Sequence, residues 1–224
     1  IFTVFNKVNS FGVIVGVKEE LNIINKYNVL VKIGYGKVNA RKVARELAKK
    51  VDCIVSFGFA GSLDPNLNNG HVIIPKNLVT YNNKQKLKLS QKYRLIIKKR
   101  LNMTYLNEND LTSVDEIIND KKIKTQLFNK FGVSSIDMES EAINNISREF
   151  EIPFIILRVI FDDTKFSIPE FIKKNTDRKG NVKYTKVLID LVKKPFQIFE
   201  FFKLIKYYCV AKNKLRVIAN KAFG

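Results

Sequence analysis

Three short apolar runs near the start of the chain constrain its fold most: residues 12–17 (GVIVGV), 29–34 (VLVKIG) and 53–59 (CIVSFGF). Uninterrupted runs of this length, rich in Val and Ile, suit strands covered on both faces, because successive side chains point to opposite sides of a sheet. Between the second and third, over residues 38–50, Val38, Val43, Ala44, Leu47 and Ala48 recur at helical spacing among basic and polar residues. Strand, helix and strand make a β-α-β unit, which implies a right-handed crossover and a largely parallel sheet.

The alternation continues downstream. A strand is expected over 72–81, a polar loop and then a helix over 82–100, and a short strand over 133–136. An amphipathic helix follows over 139–150 and a buried strand over 153–161 (PFIILRVIF). The expected fold is α/β, a single three-layer domain with a mixed, largely parallel central sheet flanked by helices, over residues 1–194. Residues 195–224 are expected to form a basic, aromatic helical extension, with Pro195 in its first turn.

A chain of 224 residues is long enough to bury one sizeable core. It holds no apolar run of membrane-spanning length and no signal-peptide pattern. Cys53 and Cys209 are isolated and His71 is the one histidine, so no metal site is expected. Cys53 lies in an apolar run and reads as a core thiol, which fits a reducing, cytoplasmic setting. The net charge of +19 favours anionic partners, although Lys, Asn, Ile and Phe are all abundant, as coding bias would also make them.

Three segments carry chemistry, and each follows a strand at the sheet edge where open α/β folds bind ligands. Residues 57–65 (FGFAGSLDP) place Gly58, Phe59, Ala60 and Gly61 where the backbone can approach a ligand closely, or simply turn tightly. Residues 136–142 (IDMESEA) run from strand into helix. There Asp137 suits a cap and Glu139 suits the positive end of the helix dipole. Residues 157–163 (LRVIFDD) put Asp162 and Asp163 just past a buried strand. A carboxyl group beside apolar surface keeps its proton and can act as an acid; a solvated loop pair cannot.

In this order and spacing, GFAGSLDP, DMESEA and RVIFD resemble the nucleoside phosphorylase/nucleosidase superfamily over residues 12–164. The resemblance implies cleavage of the bond between a purine and ribose. It implies Asp162 as the acid on the purine, Met138 and Glu139 on the ribose, and Gly58, Phe59, Ala60 and Gly61 against the substrate. Residues 113–118 (SVDEII) would flank the base, with Ile117, where an aromatic often stacks, and Ile118 beside it. The methylthioadenosine nucleosidases of this family carry a glycine and then a run of acids, the last of which activates water. Counted from Gly16, that position is Leu21, and Glu20 one residue earlier, on a different helix face, is the candidate catalytic carboxylate. Phe59 replaces their loop serine, and Gly70-His71 replaces their Gly-Asp.

Ile168-Pro169, residues 177–180 (DRKG) and residues 188–191 (LIDL) before Pro195 resemble another branch, the hopanoid-associated phosphorylases, or adenosylhopane nucleosidases. That branch implies release of adenine from a lipid-linked adenine nucleoside; the alternative is a soluble purine nucleosidase or phosphorylase of the methylthioadenosine/adenosylhomocysteine type. No cofactor is implied, with phosphate as co-substrate in the phosphorolytic case and Arg41 and Arg158 the nearest cations by motif. The family implies a homo-oligomer. In the tail, Phe196, Phe199, Phe202, Ile205 and Tyr208 recur at helical spacing beside Lys203, Lys206, Lys212 and Lys214. Such a helix lies on an anionic membrane surface or packs on the sheet or a partner subunit. Nucleic acid is not an expected partner, because no nucleic-acid motif accompanies the charge.

Overall fold

The computed structural model describes residues 10–175, 186–187, 190 and 193–224. The first apolar runs become β1 (Phe11–Val15), β2 (Leu30–Ile33) and β3 (Cys53–Ser62), joined by α1 (Lys18–Ile24) and α2 (Gly36–Ala48). The chain continues through β4 (Val72–Ile73), β5 (Asn77–Val79), β6 (Lys86–Lys88), α3 (Gln91–Leu101), β7 (Leu111–Ser113), α4 (Lys121–Phe131) and β8 (Ser135–Asp137). It ends in α5 (Ser140–Glu149), β9 (Phe154–Asp162), α6 (Glu170–Lys174), a 3-10 turn (Pro195–Gln197) and α7 (Ile198–Phe223).

The sheet runs β2-β1-β3-β8-β7-β5-β6, with β9 pairing β3 and β4. β1, β2, β3 and β9 are parallel where they pair, while β3 meets β8 antiparallel at Gly61 and Ser62. Alternation along β9 feeds two cores, as a strand's period of two requires. Ile155, Leu157 and Val159 pack with Ile23, Ile97, Leu215 and Ile218 on one face. Phe154 and Ile156 pack with Ala44, Leu47, Ile143 and Ile146 on the other. The result is helix, sheet and helix in three layers, as the sequence implies.

Four sequence expectations change. The strand over 72–81 is two strands, because Pro75 between β4 and β5 has no N–H for a ladder. The polar stretch after it contains β6, which pairs β5 antiparallel. β2 is not covered on both faces: it is an edge strand, with Leu30 and Ile33 exposed. The expected strand over 133–136 starts at Ser135 and reaches Asp137. Residues 177–180 and 188–189 and 191, on which the hopanoid likeness partly rests, lie outside the described residues.

Within α7 the two halves differ. Ala211, Leu215, Ile218, Ala219 and Ala222 are fully buried, whereas Phe199, Phe202 and Ile205 are exposed, as is Phe196 just before. Among the described residues no helix is long and apolar enough to cross a membrane.

Candidate active site

The three chemistry-bearing segments meet because β3 has two neighbours at its carboxyl end. In the parallel register with β9, Gly58 faces Arg158 and Gly61 faces Asp162, with a bulge at Ala60/Gly61. In the antiparallel register with β8, Gly61 faces Ile136, which leads into Asp137, Met138 and Glu139. Gly61 must be small: a Cβ there would sit 3.2 Å from both carboxylate oxygens of Asp162 and from Ile136 Cγ1.

The first end of the site gathers three carboxylates around one guanidinium. Arg158 is buried; its Nη2 lies 2.8 Å from Asp137 Oδ2 and 3.7 Å from Glu139 Oε2, and donates to Ser56 Oγ at 2.6 Å. Asp137 also accepts from Ser113 Oγ at 2.5 Å, from Ser140 N at 3.2 Å and from Ser140 Oγ. The N-cap position of α5 is Glu139, not Asp137; Asp137 still accepts from the first N–H of the helix, at Ser140, and holds an ion pair the sequence did not suggest. Glu139, at the N-terminus of α5, makes no side-chain cap bond and instead accepts from Gly36 N at 3.2 Å. Burial pushes its carboxyl up to about 7, against the pull of Arg158.

Glu20 completes this end. Its carboxylate accepts from Gly16 N at 2.7 Å, Val17 N at 3.1 Å and Phe59 N at 2.9 Å. Only glycine fits at Gly58, where φ is +152° and a Cβ would lie 2.3 Å from Glu20 Oε1 and 2.7 Å from Arg158 Nη1. A Cβ on Gly16 would lie 3.5 Å from Glu20 Oε2 and 3.7 Å from Glu139 Oε1, so both carboxylates face the residue just past β1. Burial raises the Glu20 carboxyl above the usual range, opposed by Arg158 and by the backbone N–H groups. Leu21, the position reached by counting from Gly16, packs against the core, and Glu20, the candidate carboxylate one residue earlier, is buried in the site.

At the second end, Asp162 is buried and its carboxyl is raised to about 6, mainly by desolvation and against the effect of Lys124. Lys124 Nζ lies 2.6 Å from Asp162 Oδ2 and donates to the carbonyls of Asp162 and Asp163 at 3.4 and 3.2 Å. α4 is firmly bounded: Asp120 caps it by accepting from Lys122 N and Ile123 N, and Gly132 ends it in the left-handed region. Asp163 is not part of this pocket. Its Oδ2 accepts from Asn69 N and Tyr207 Oη, and its Oδ1 from Lys165 N.

The remaining expected residues are placed less tightly. Met138 is half-buried and Ile118 packs at the edge of a small core with Leu63, Val114 and Leu127. Ile117 is 48% exposed on the loop after β7. That loop is tied down by the Lys37–Asp115 ion pair of 2.6 Å, one residue from the Gly36 N–H that serves Glu139. Phe59 turns away from Gly58 to stack with Phe161 and, from α7, Tyr208, with ring centroids 5.8 and 6.3 Å away. Arg41 is exposed on α2. Sequence reasoning missed Lys124 altogether and Arg158 as the hub of the carboxylates.

A buried carboxyl group raised to about 6 on one side, and two further buried carboxyl groups that accept from backbone N–H groups on the other, suit cleavage of a bond between a base and a sugar. The comparisons agree. A family model described as phosphorylase superfamily matches residues 11–107 and 111–192. The chain belongs to the phosphorylase superfamily, and it is an enzyme of the N-glycosidase and nucleoside phosphorylase class. It is 30% identical over 192 residues, 75% of this chain and 73% of the relative, to a 5′-methylthioadenosine/S-adenosylhomocysteine nucleosidase of Buchnera aphidicola subsp. Baizongia pistaciae. Its fold is similar to the nucleosidase of that name from Campylobacter jejuni, with a TM-score of 0.69 and 17% identity over 96% of this chain and 97% of that one. It is also similar to the futalosine hydrolase of Helicobacter pylori, with a TM-score of 0.66 and 18% identity over 95% of this chain and 98% of that one.

Proposed function

We propose that this enzyme hydrolyses the N-ribosidic bond of a 5′-substituted adenine nucleoside of the methylthioadenosine/adenosylhomocysteine type, releasing adenine. The observation that carries it is the convergence of Glu20, Glu139 and Asp162, all buried, on the ends of β1, β3 and β9. Asp162, protonated, donates to the purine and makes it a better leaving group. Glu139 accepts from the ribose hydroxyls and fixes the ring. Glu20 takes a proton from the attacking water. The backbone from Gly58 to Gly61 runs between them, with the Phe59 ring on Phe161 and Tyr208 and Ala60 packed against Leu67, Ile73 and Ile160, and Ile117 and Ile118 flank the base.

Water rather than phosphate is the nucleophile in this reading. Glu20 and Glu139 would repel a phosphate anion, and Arg158, the nearest cation, already serves three carboxylates. The lipid-linked substrate is the weaker reading, because the relatives reported above act on soluble nucleosides by name and the hopanoid-like motifs lie partly outside the described residues. The test is adenine release from methylthioadenosine, adenosylhomocysteine and adenosine, with and without phosphate. Free sugar as the product in both conditions supports hydrolysis; a sugar 1-phosphate overturns it, and no release from any of the three overturns the substrate class.

A peripheral contact with an anionic membrane is a second reading, favoured by one observation. Phe196, Phe199, Phe202 and Ile205 are exposed along one stretch, beside Lys203 and Lys206 in a chain of net charge +19. Each lysine near an anionic surface contributes about 1 kcal/mol. Binding to phosphatidylserine vesicles that weakens with salt, and is lost on charge reversal of Lys203 and Lys206, supports it. A homodimer covering the same residues, seen by sedimentation without vesicle binding, overturns it.

A further inference from the structure

Lys124 is the least expected residue in the site. It is 1% exposed, and a lysine is almost never so deeply buried without a partner. It sits on the apolar side of α4, in line with buried Leu127 and Phe131, where a hydrophobic side chain would ordinarily stand. Its ammonium group has three acceptors, and all three belong to the end of β9: Asp162 Oδ2 at 2.6 Å and the carbonyls of Asp162 and Asp163. Both oxygens of the Asp162 carboxyl lie against Gly61, where a Cβ would sit 3.2 Å from each, and the carboxyl also accepts from the backbone N–H of Asp162.

We infer that Lys124 is a positioning residue for the general acid: it anchors the carboxyl by Oδ2, holds it at the end of β9, and sets the pH at which Asp162 gives up its proton. The inference rests on the assignment of Asp162 as the acid. In the reaction the proton on Asp162 moves to a purine nitrogen as the bond from C1′ to the base breaks, its electron pair going to the purine. The oxygen of water bonds to C1′ and its proton goes to Glu20. Asp162 is left a carboxylate beside the Lys124 ammonium, which stabilises that product form. Lys124 thereby makes a buried, reluctant acid a stronger one. The charged groups that act on Asp162 are Lys124 from α4 and Asp163, the next residue, and the β3 residue paired with it is Gly61.

The experiment compares wild type with Lys124→Met and Lys124→Arg, each checked for folding by circular dichroism. Two readouts are needed: the pH profile of kcat/KM on methylthioadenosine, and the titration of the Asp162 carboxyl by carbon-13 NMR, which needs no activity. An opposite charge at this distance lowers an aspartate by about 1–3 pH units. Lys124→Met should therefore move the alkaline limb and the NMR midpoint of Asp162 upward by about that much, and Lys124→Arg should leave both near wild type. Lys124→Gln, which keeps a donor for the carbonyls but no charge, makes the same comparison if Lys124→Met does not fold. A folded uncharged variant whose midpoint and limb stay in place overturns the inference. A midpoint that moves in a protein releasing no adenine from any nucleoside overturns the proposed function instead.

Discussion

The two ends of the site bury acids in opposite ways. At one end a single guanidinium, Arg158, is shared by Asp137, Glu139 and Glu20, so negative charge exceeds positive. At the other a single ammonium, Lys124, serves one carboxylate, Asp162. Excess negative charge suits the sugar end, where positive charge develops and a base must take a proton from water. A matched pair suits the purine end, where one proton is delivered and a carboxylate remains. The difference teaches that burial alone does not assign roles; the ratio of acids to cations does.

The largest expected effect falls on the shared cation. Arg158→Met strips three buried carboxylates of their partner, and breaking a buried pair in this way costs about 3–5 kcal/mol. Burial raises Glu20 and Glu139 against the pull of Arg158, so without Arg158 their folded pKa values stand higher still and the native state binds more protons than the unfolded one. Stability of the variant then falls as pH rises. Urea unfolding at mildly acidic and mildly alkaline pH measures both. A loss below about 1 kcal/mol, or one equal to that of Lys124→Met, would erase the contrast between the ends.

Next come the reacting carboxylates. Asp162→Asn and Glu20→Gln are each expected to lower kcat for adenine release by about 10²–10⁴-fold with the fold intact. Asp163→Asn is the control, since its side chain is occupied by Asn69, Lys165 and Tyr207 rather than by the pocket. If Asp163→Asn is the inactive protein and Asp162→Asn turns over normally, the acid is one residue further on.

A smaller and more selective effect belongs to Glu139. Glu139→Gln should weaken nucleosides by roughly 1–3 kcal/mol, the order expected when a hydrogen bond to a charged acceptor is lost, and leave free adenine almost untouched. Calorimetric titration with a non-hydrolysable nucleoside and with adenine separates the two. Equal losses would mean that Glu139 supports α5 and not the sugar.

How much of this could be read from the sequence depends on whether a residue's role follows from its own segment. Asp162 was legible because it ends an apolar run, and Glu139 because it opens a helix after a strand. The β-α-β start was legible because β1 and β3 are covered on both faces. Glu20 was named as a candidate, but its burial could not be read from its own segment, because one residue turns a helical side chain by about 100° and the backbone N–H of Phe59, 39 positions away, holds its carboxylate. Lys124 was invisible among the lysines of α4, although its place in line with Leu127 and Phe131 was a signal. β6 and β7, three residues each, are too short to leave a period.

The finest test separates the two ends by pH alone. Burial raises Asp162 to about 6 and Glu139 to about 7. These belong to the free enzyme, so both appear in kcat/KM. In the proposed reaction Asp162 works protonated, so the profile falls as pH rises through its midpoint. Glu139 works as a carboxylate, so the profile falls as pH drops through its own. The two limbs overlap, giving a narrow bell with its maximum between them, at mildly acidic pH. Glu139→Gln should remove the step near 7 from the acid limb, leaving the part set by Glu20, and spare the alkaline limb; Asp162→Asn should do the reverse on its residual activity. The measurement is kcat/KM on methylthioadenosine across this range for the three proteins. If one substitution abolishes both limbs, the two carboxyls titrate as a unit across the cleft, and the description of two independently tuned ends fails.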